Sequence, residues 1–313
     1  MDNDLTPDEE ALLEHYRAML PPQGTLRAGK IWIVQWLARG DRETGAELAD
    51  WANQRRSGWA KLYRCQPKQE VFDAIGGAAA HARTEGGSPI LHIEAHGNER
   101  GITPERNGSS YILWEELTGP LQRLNEASGC NLLIVMAACI GNAAVQALNR
   151  GPRAPAIVVI GPTDEISPTS LFNASKELYR VVSAGDASID TIVADMSAES
   201  GTVPFVEHRF PAIAYDVLVS DLIKSARPEE IEKRKARAMR FFTEDCDLST
   251  AQAEEAMRQH PESFKGIPES QQIWDKMFCI DICPENKERF ALDMAEIYRA
   301  AEALEGNRQN PTE

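Results

Sequence analysis

At 313 residues the chain is long enough to bury a sizeable core, as one large domain or two smaller ones. Its 42% apolar and 26% charged residues are ordinary for a globular protein. The net charge of −15 argues against a nucleic-acid partner, because phosphate binding needs a basic face. The one basic stretch, Lys233 to Arg237, adjoins Glu229, Glu230 and Glu232 and reads as a solvated helix face.

The start, Met1-Asp2-Asn3-Asp4, is acidic and lacks the layout of a signal peptide. The longest apolar runs are strand-sized, short of the ~20 residues of a membrane span, so no membrane partner is expected. Six dispersed cysteines do not resemble a disulfide framework, and a cytoplasmic location is expected.

The predicted elements begin with a helix over 5–20. Thr6-Pro7-Asp8-Glu9 supplies a cap, a proline and early acids, and Pro21-Pro22 ends it. Strand and helix signals then alternate. Strands are expected at 30–37, 60–65, 89–96, 131–139 and 156–160, and helices at 44–54, 68–85, 114–127, 142–149 and 168–184. Residues 97–110 read as a loop or small hairpin, and 203–211 as an edge strand. From Ile213 the pattern is helical and charged, with breaks at Pro261, Pro268 and Pro284. Strands separated by helices predict an α/β fold, a mostly parallel sheet between helical layers. The expected division is an N-terminal helical segment over 1–29, a catalytic domain over 30–215, and a helical C-terminal extension over 216–313 with a disordered tail.

Two segments carry the chemistry. Pro89 to Gly97 is an apolar run ending in His96-Gly97, and Asn131 to Gly141 is an apolar run that reaches Cys139. Each reads as a buried strand delivering one polar group at its C-terminal end. In an open parallel sheet those ends share one edge, where ligands bind. A thiol needs a base to become a thiolate, and an imidazole can take its proton and later give it to a leaving amine. A helix starting near Asn142 would add its N-terminal dipole. The backbone amides of Gly97 and Cys139 are the natural donors for the tetrahedral oxyanion.

Other residues carry ordinary readings. His92 reads as a core histidine. As a metal pair, His92 and His96 lack the helix and the glutamate directly after the first His, so no metal and no cofactor is expected. Glu94 either orients His96 or caps a neighbouring element. Trp32 and Trp36 read as packing. Cys279 and Cys283 have no second cysteine pair and read as core of the extension. Cys65, Cys130 and Cys246 receive no role.

His92-x-x-x-His96-Gly97, Gly101-Ile102, Trp114-Glu115-Glu116-Leu117, Ala138-Cys139 and Val158 to Glu165 occur in an order that resembles the caspase-like cysteine peptidase clan. The closest likeness is to its bacterial CHAT-type branch, related to separase. Caspases place the His about 50 residues before the Cys, a spacing similar to this one. The resemblance covers about residues 30 to 190. It implies a caspase-hemoglobinase α/β sandwich and an endopeptidase with a Cys139–His96 dyad, no metal and no essential third side chain.

It also implies a specific protein substrate, control by an activating or inhibitory protein partner, and a role in bacterial stress or antiviral defence. The N-terminal helix, the loop at 97–110 or the C-terminal helices could gate the cleft. The Arg150-Gly151-Pro152-Arg153 loop lies where relatives are nicked. Two positions depart from the clan. Ala137 stands where several members carry Asp or Gln, and Ile140 where caspases have Arg. Specificity therefore does not carry over, and Asp164, Glu165 and Glu94 are the candidate substrate-binding acids, Asp164 and Glu165 for an Arg or Lys side chain. Two competing readings stay open: an inactive caspase-like scaffold that binds a partner, and a small-molecule amidase on a doubly wound sheet.

Overall fold

In the computed structural model, which describes residues 4–20, 29–106, 108, 110–148, 151–185, 188–201, 203–259 and 265–309, the apolar runs form the inner strands of one mixed sheet. Helix α1 (Pro7–Met19) comes first. The Thr6 hydroxyl accepts from the Glu9 amide at 3.4 Å, and the Glu9 carboxylate accepts from the Thr6 amide at 2.7 Å. This reciprocal pair satisfies two of the amides that a helix start leaves open. Next come β1 (Ile31–Trp36), α2 (Thr44–Arg55), β2 (Ala60–Arg64), α3 (Lys68–Glu85) and β3 (Ile90–Asn98). The short β4 (Gly101–Thr103) and β5 (Ile112–Leu113) lead to α4 (Trp114–Ala127) and β6 (Leu133–Ala137). After α5 (Ala144–Leu148) come β7 (Val158–Pro162), α6 (Pro168–Ala184), α7 (Ile189–Ser200) and β8 (Phe205–Arg209).

The strand order is β2, β1, β3, β6, β7, β8. The first five are parallel, and β8 runs antiparallel along β7 as the edge expected at 203–211. Every residue of β1, β6 and β7 is buried, as strands covered on both faces require. Helix α2 packs on α6 and α6 on α7, while α3 packs on α4 and α4 on α5, which makes the two layers. The expected loop at 97–110 contains a small hairpin, because the end of β3 pairs with β4 and β4 with β5.

From β1 the chain steps outward to β2, then crosses back to lay β3 on the other side of β1. The reversal leaves a crevice beyond the carboxyl ends of β1 and β3, the usual ligand position in such sheets. Helix α7 was not anticipated. Ser188 caps it, its hydroxyl accepting from the Thr191 amide at 3.2 Å, and Ile189, Ile192, Val193 and Met196 form its buried stripe.

The chain divides into two compact units, one of residues 23–210 and one of 1–22 with 211–313. The second holds α1 and the helices α8 (Phe210–Ser225), α9 (Pro228–Arg240), α10 (Thr250–Gln259), α11 (Ile267–Met277), α12 (Asn286–Arg289) and α13 (Met294–Gln309). Helix α1 is thus part of the C-terminal helical unit rather than a segment of its own. The Tyr215 hydroxyl donates to the Leu13 carbonyl at 2.7 Å, and Arg227 grips Glu9 at 2.9 and 2.8 Å. On α9 no residue is buried, and Lys233 and Lys235 pair with Glu230 and Glu232 at 2.6 and 2.8 Å, the solvated face that the charge pattern predicts. Among the described residues no helix is long and apolar enough to cross a membrane. Pro21-Pro22, Arg150, Pro261 and the tail from 310 lie outside the described residues.

Candidate active site

The site is built from the carboxyl ends of three adjacent strands, β1, β3 and β6. His96 lies near the end of β3, and its Nε2 is 3.1 Å from Oδ2 of Asp41, in the loop that follows β1. A carboxylate accepts, so Nε2 carries the proton and Nδ1 is the free basic nitrogen. The same Asp41 oxygen accepts from the Ala38 amide at 3.2 Å, which fixes the carboxylate as well as the ring. The crevice at the chain reversal is therefore occupied by an Asp–His pair.

Cys139 lies two residues beyond β6, half-buried, as a free thiol. It lines one cleft of about 600 Å³ together with Asp41, His96, Gly97, Ala138 and Glu165. The backbones of the two segments touch here. A β-carbon on Gly97 would lie 2.5 Å from the Cys139 carbonyl oxygen and 3.3 Å from its amide nitrogen. Only glycine permits that approach of the two segments that carry the candidate oxyanion donors.

The residue after the thiol is backbone-strained. Ile140 has φ of 55° and ψ of 32°, the left-handed region that a β-branched side chain rarely enters. Such a turn needs support from its surroundings, and the Ile140 amide donates to the Asp164 carbonyl at 3.4 Å. The helix expected from Asn142 is a 3-10 turn, Gly141–Ala143, followed by the five-residue α5. A helix this short has too weak a dipole to stabilise a thiolate strongly.

Glu94 does not orient His96. It is 3% exposed, accepts from the Thr44 hydroxyl, and accepts from the Gly45 amide at 2.5 Å. It therefore caps α2, one of its three expected roles, and it also lines the cleft. Burial lifts its pKa to about 7, with Glu47 and Glu43 adding to the rise and the Thr44 and Gly45 donors opposing it. Asp164 turns to its own loop, where its carboxylate accepts from the Glu165 amide at 2.7 Å. Glu165 reaches the cleft, exposed, in an ion pair with Arg106 at 2.9 Å. His92 is buried and 2.9 Å from the Tyr179 hydroxyl, and burial lowers its pKa to about 3. Among the described residues no group of three or more His, Cys, Asp or Glu is placed to hold a metal ion.

Sequence reasoning missed Asp41. Its usable signal is position: an acid in the Gly40-Asp41 turn after the strand that neighbours the His strand. No protein-family model matches this chain, and no curated protein matches it.

Proposed function

We propose that the protein is a cysteine endopeptidase of the caspase-like clan, acting in the cytoplasm on a specific protein substrate. The observation that carries this reading is the meeting of Asp41, His96 and Cys139 on one cleft at the chain reversal of a parallel sheet. The order of the elements around the two segments supports the assignment to the clan and to a caspase-hemoglobinase fold.

In this mechanism His96 Nδ1 takes the Cys139 proton while Asp41 holds the ring through Nε2. The thiolate attacks the peptide carbonyl, a C–S bond forms, and the carbonyl electron pair moves onto oxygen between the Gly97 and Cys139 amides. Collapse breaks the C–N bond, and the imidazolium gives its proton to the leaving amine. Water, deprotonated by the same imidazole, then cleaves the thioester and regenerates the thiol. Control by a protein partner and service in bacterial stress or antiviral defence belong to the same reading.

Wild type and Cys139→Ala, offered a mixed peptide library and analysed by mass spectrometry, test it. Cleavage by the wild type alone supports the reading. Equal behaviour of the two proteins removes it and favours the partner-binding scaffold.

A further inference from the structure

Two buried polar side chains, one of them in the lining of the cleft, make their hydrogen bonds to neither His96 nor Cys139. Gln35 on β1 and Glu94 on β3 are register partners on neighbouring strands, 4% and 3% exposed. Both reach past the sheet to the start of α2. The Glu94 carboxylate accepts from the Thr44 hydroxyl and from the Gly45 amide at 2.5 Å, and the Gln35 carbonyl oxygen accepts from the Ala46 amide at 3.1 Å. Glu43, at the N-cap position, makes no side-chain capping bond. The side-chain acceptors for the Gly45 and Ala46 amides thus come from the sheet, while the Thr44 amide donates to the Arg42 carbonyl at 3.0 Å. The fit is close. A β-carbon on Gly45 would overlap the Glu94 carboxylate and lie 3.0 Å from the Gln35 oxygen.

Three residues before Thr44 stands Asp41, the partner of His96. The loop that runs from Ala38 through Asp41 to Thr44 is tied at its other end, where the Ala38 amide donates to the Pro104 carbonyl at 2.8 Å. Its middle is tied by Arg42, which grips Glu47 at 2.9 and 2.8 Å and Thr169 at 2.7 Å. The Glu94 contact is the only one of these ties made by a buried acid with no ion pair among the described residues. We propose that Glu94, with Gln35, is a positioning residue: by clamping the first turn of α2 it holds the Asp41 loop, and through it the His96 ring, in the geometry that activates Cys139. The inference rests on the reading of Cys139 and His96 as nucleophile and base.

The clamp is sensitive to protons. As a carboxylate Glu94 offers an acceptor to each donor; protonated, one oxygen becomes a donor and one contact weakens. The charged and titratable groups around it are Glu43 and Glu47 of α2, Arg42 and Asp41 of the loop, and His96 on its own strand, while β6 presents Ala137 in register. With a carboxyl that titrates at about 7, the clamp loosens as pH falls through neutrality.

The test uses the full chain as wild type, Glu94→Gln and Thr44→Val. Two rates are measured from pH 5.5 to 9: alkylation of Cys139 by iodoacetamide, read by peptide mass spectrometry, and cleavage of a peptide selected from the library. Glu94→Gln is expected to slow both about tenfold at pH 8 with KM unchanged, and to remove the inflection near pH 7. Thr44→Val, which keeps the acid and the shape, is expected to slow both about threefold and to keep the inflection. Melting curves identify any variant that fails to fold, and Thr44→Val then decides. Wild-type alkylation rates and an unchanged pH profile in both folded variants would overturn the proposal. Alkylation needs no peptide turnover. A protein that cleaves nothing but shows these alkylation effects would remove the peptidase reading and leave the clamp standing.

Discussion

Glu9 in the helical unit and Glu94 in the sheet unit do the same local job under opposite electrostatics. Each is almost wholly buried, at 1% and 3% exposed, and each holds the first turn of a helix. For Glu9 burial alone would raise the pKa, but Arg227, with the amide and hydroxyl of Thr6, outweighs it and holds the value at about 2. Glu94 has the Thr44 and Gly45 donors but no ion pair among the described residues, so burial prevails and the value rises to about 7. A buried acid with a cation ties α1 to α9. A buried acid without one is a standing cost, and it stands beneath the candidate site.

The largest effect that separates the two regions is expected at the site itself. Asp41→Ala should lower kcat on the order of 100-fold, because it frees the His96 ring; Asp41 also lines the cleft, so any rise in KM should be small beside the loss in kcat. An Asp41→Ala enzyme with wild-type kcat would show that the ring needs no third group. In the helical unit, Arg227→Met leaves Glu9 buried without its cation. It should cost about 3 kcal/mol in denaturant unfolding while leaving cleavage per folded molecule unchanged.

The two acids should also give stability profiles of opposite slope. The Glu9 value lies below its ordinary 4.5, so its contribution is present above that pH and is lost as pH falls toward 2. The Glu94 value lies above 4.5, so the folded state loses about 3 kcal/mol as pH rises from 4.5 to 7 and no more beyond. Glu94→Gln should flatten the second slope, and Glu9→Gln the first. Melting temperatures measured from pH 2.5 to 9 on the three proteins check both signs. The smallest effect should be that of salt on the exposed Arg106–Glu165 pair. Arg106→Ala should change stability by less than about 1 kcal/mol, and any change in KM would identify a substrate contact at that rim.

Much of the sheet was legible because its centre is covered on both faces. Ile31 to Trp36, Leu133 to Ala137 and Val158 to Pro162 have to be apolar along their whole length, and such runs stand out. Helix α3 keeps the bounds read from its pattern, with Gly86 ending it at a φ of 68°. Helix α7 carried a usable cap and stripe from Ser188 to Met196, yet a segment between a helix and an edge strand offered no change of period to mark it. His96 and Cys139 were legible because a strand end announces them. Asp41 was not, and for Glu94 capping was legible only as one alternative, without the helix it caps. Their partners lie 55 and 49 or more positions away in sequence, and only the return of β3 to the far side of β1 brings them together. The strained Ile140 turn was equally hidden, since nothing in Ala138-Cys139-Ile140-Gly141 announces a positive φ at a β-branched residue.

The activation of Cys139 by His96 can be read from a competition within one molecule. Cys246 is exposed, whereas Cys139 is half-buried in the cleft that His96 also lines, so accessibility alone favours Cys246. A short iodoacetamide pulse at pH 7, followed by peptide mass spectrometry, ranks the six thiols. Cys139 is expected to be modified first, and His96→Ala to reverse the order in favour of Cys246. Cys246 modified ahead of Cys139 in the wild type would contradict that activation.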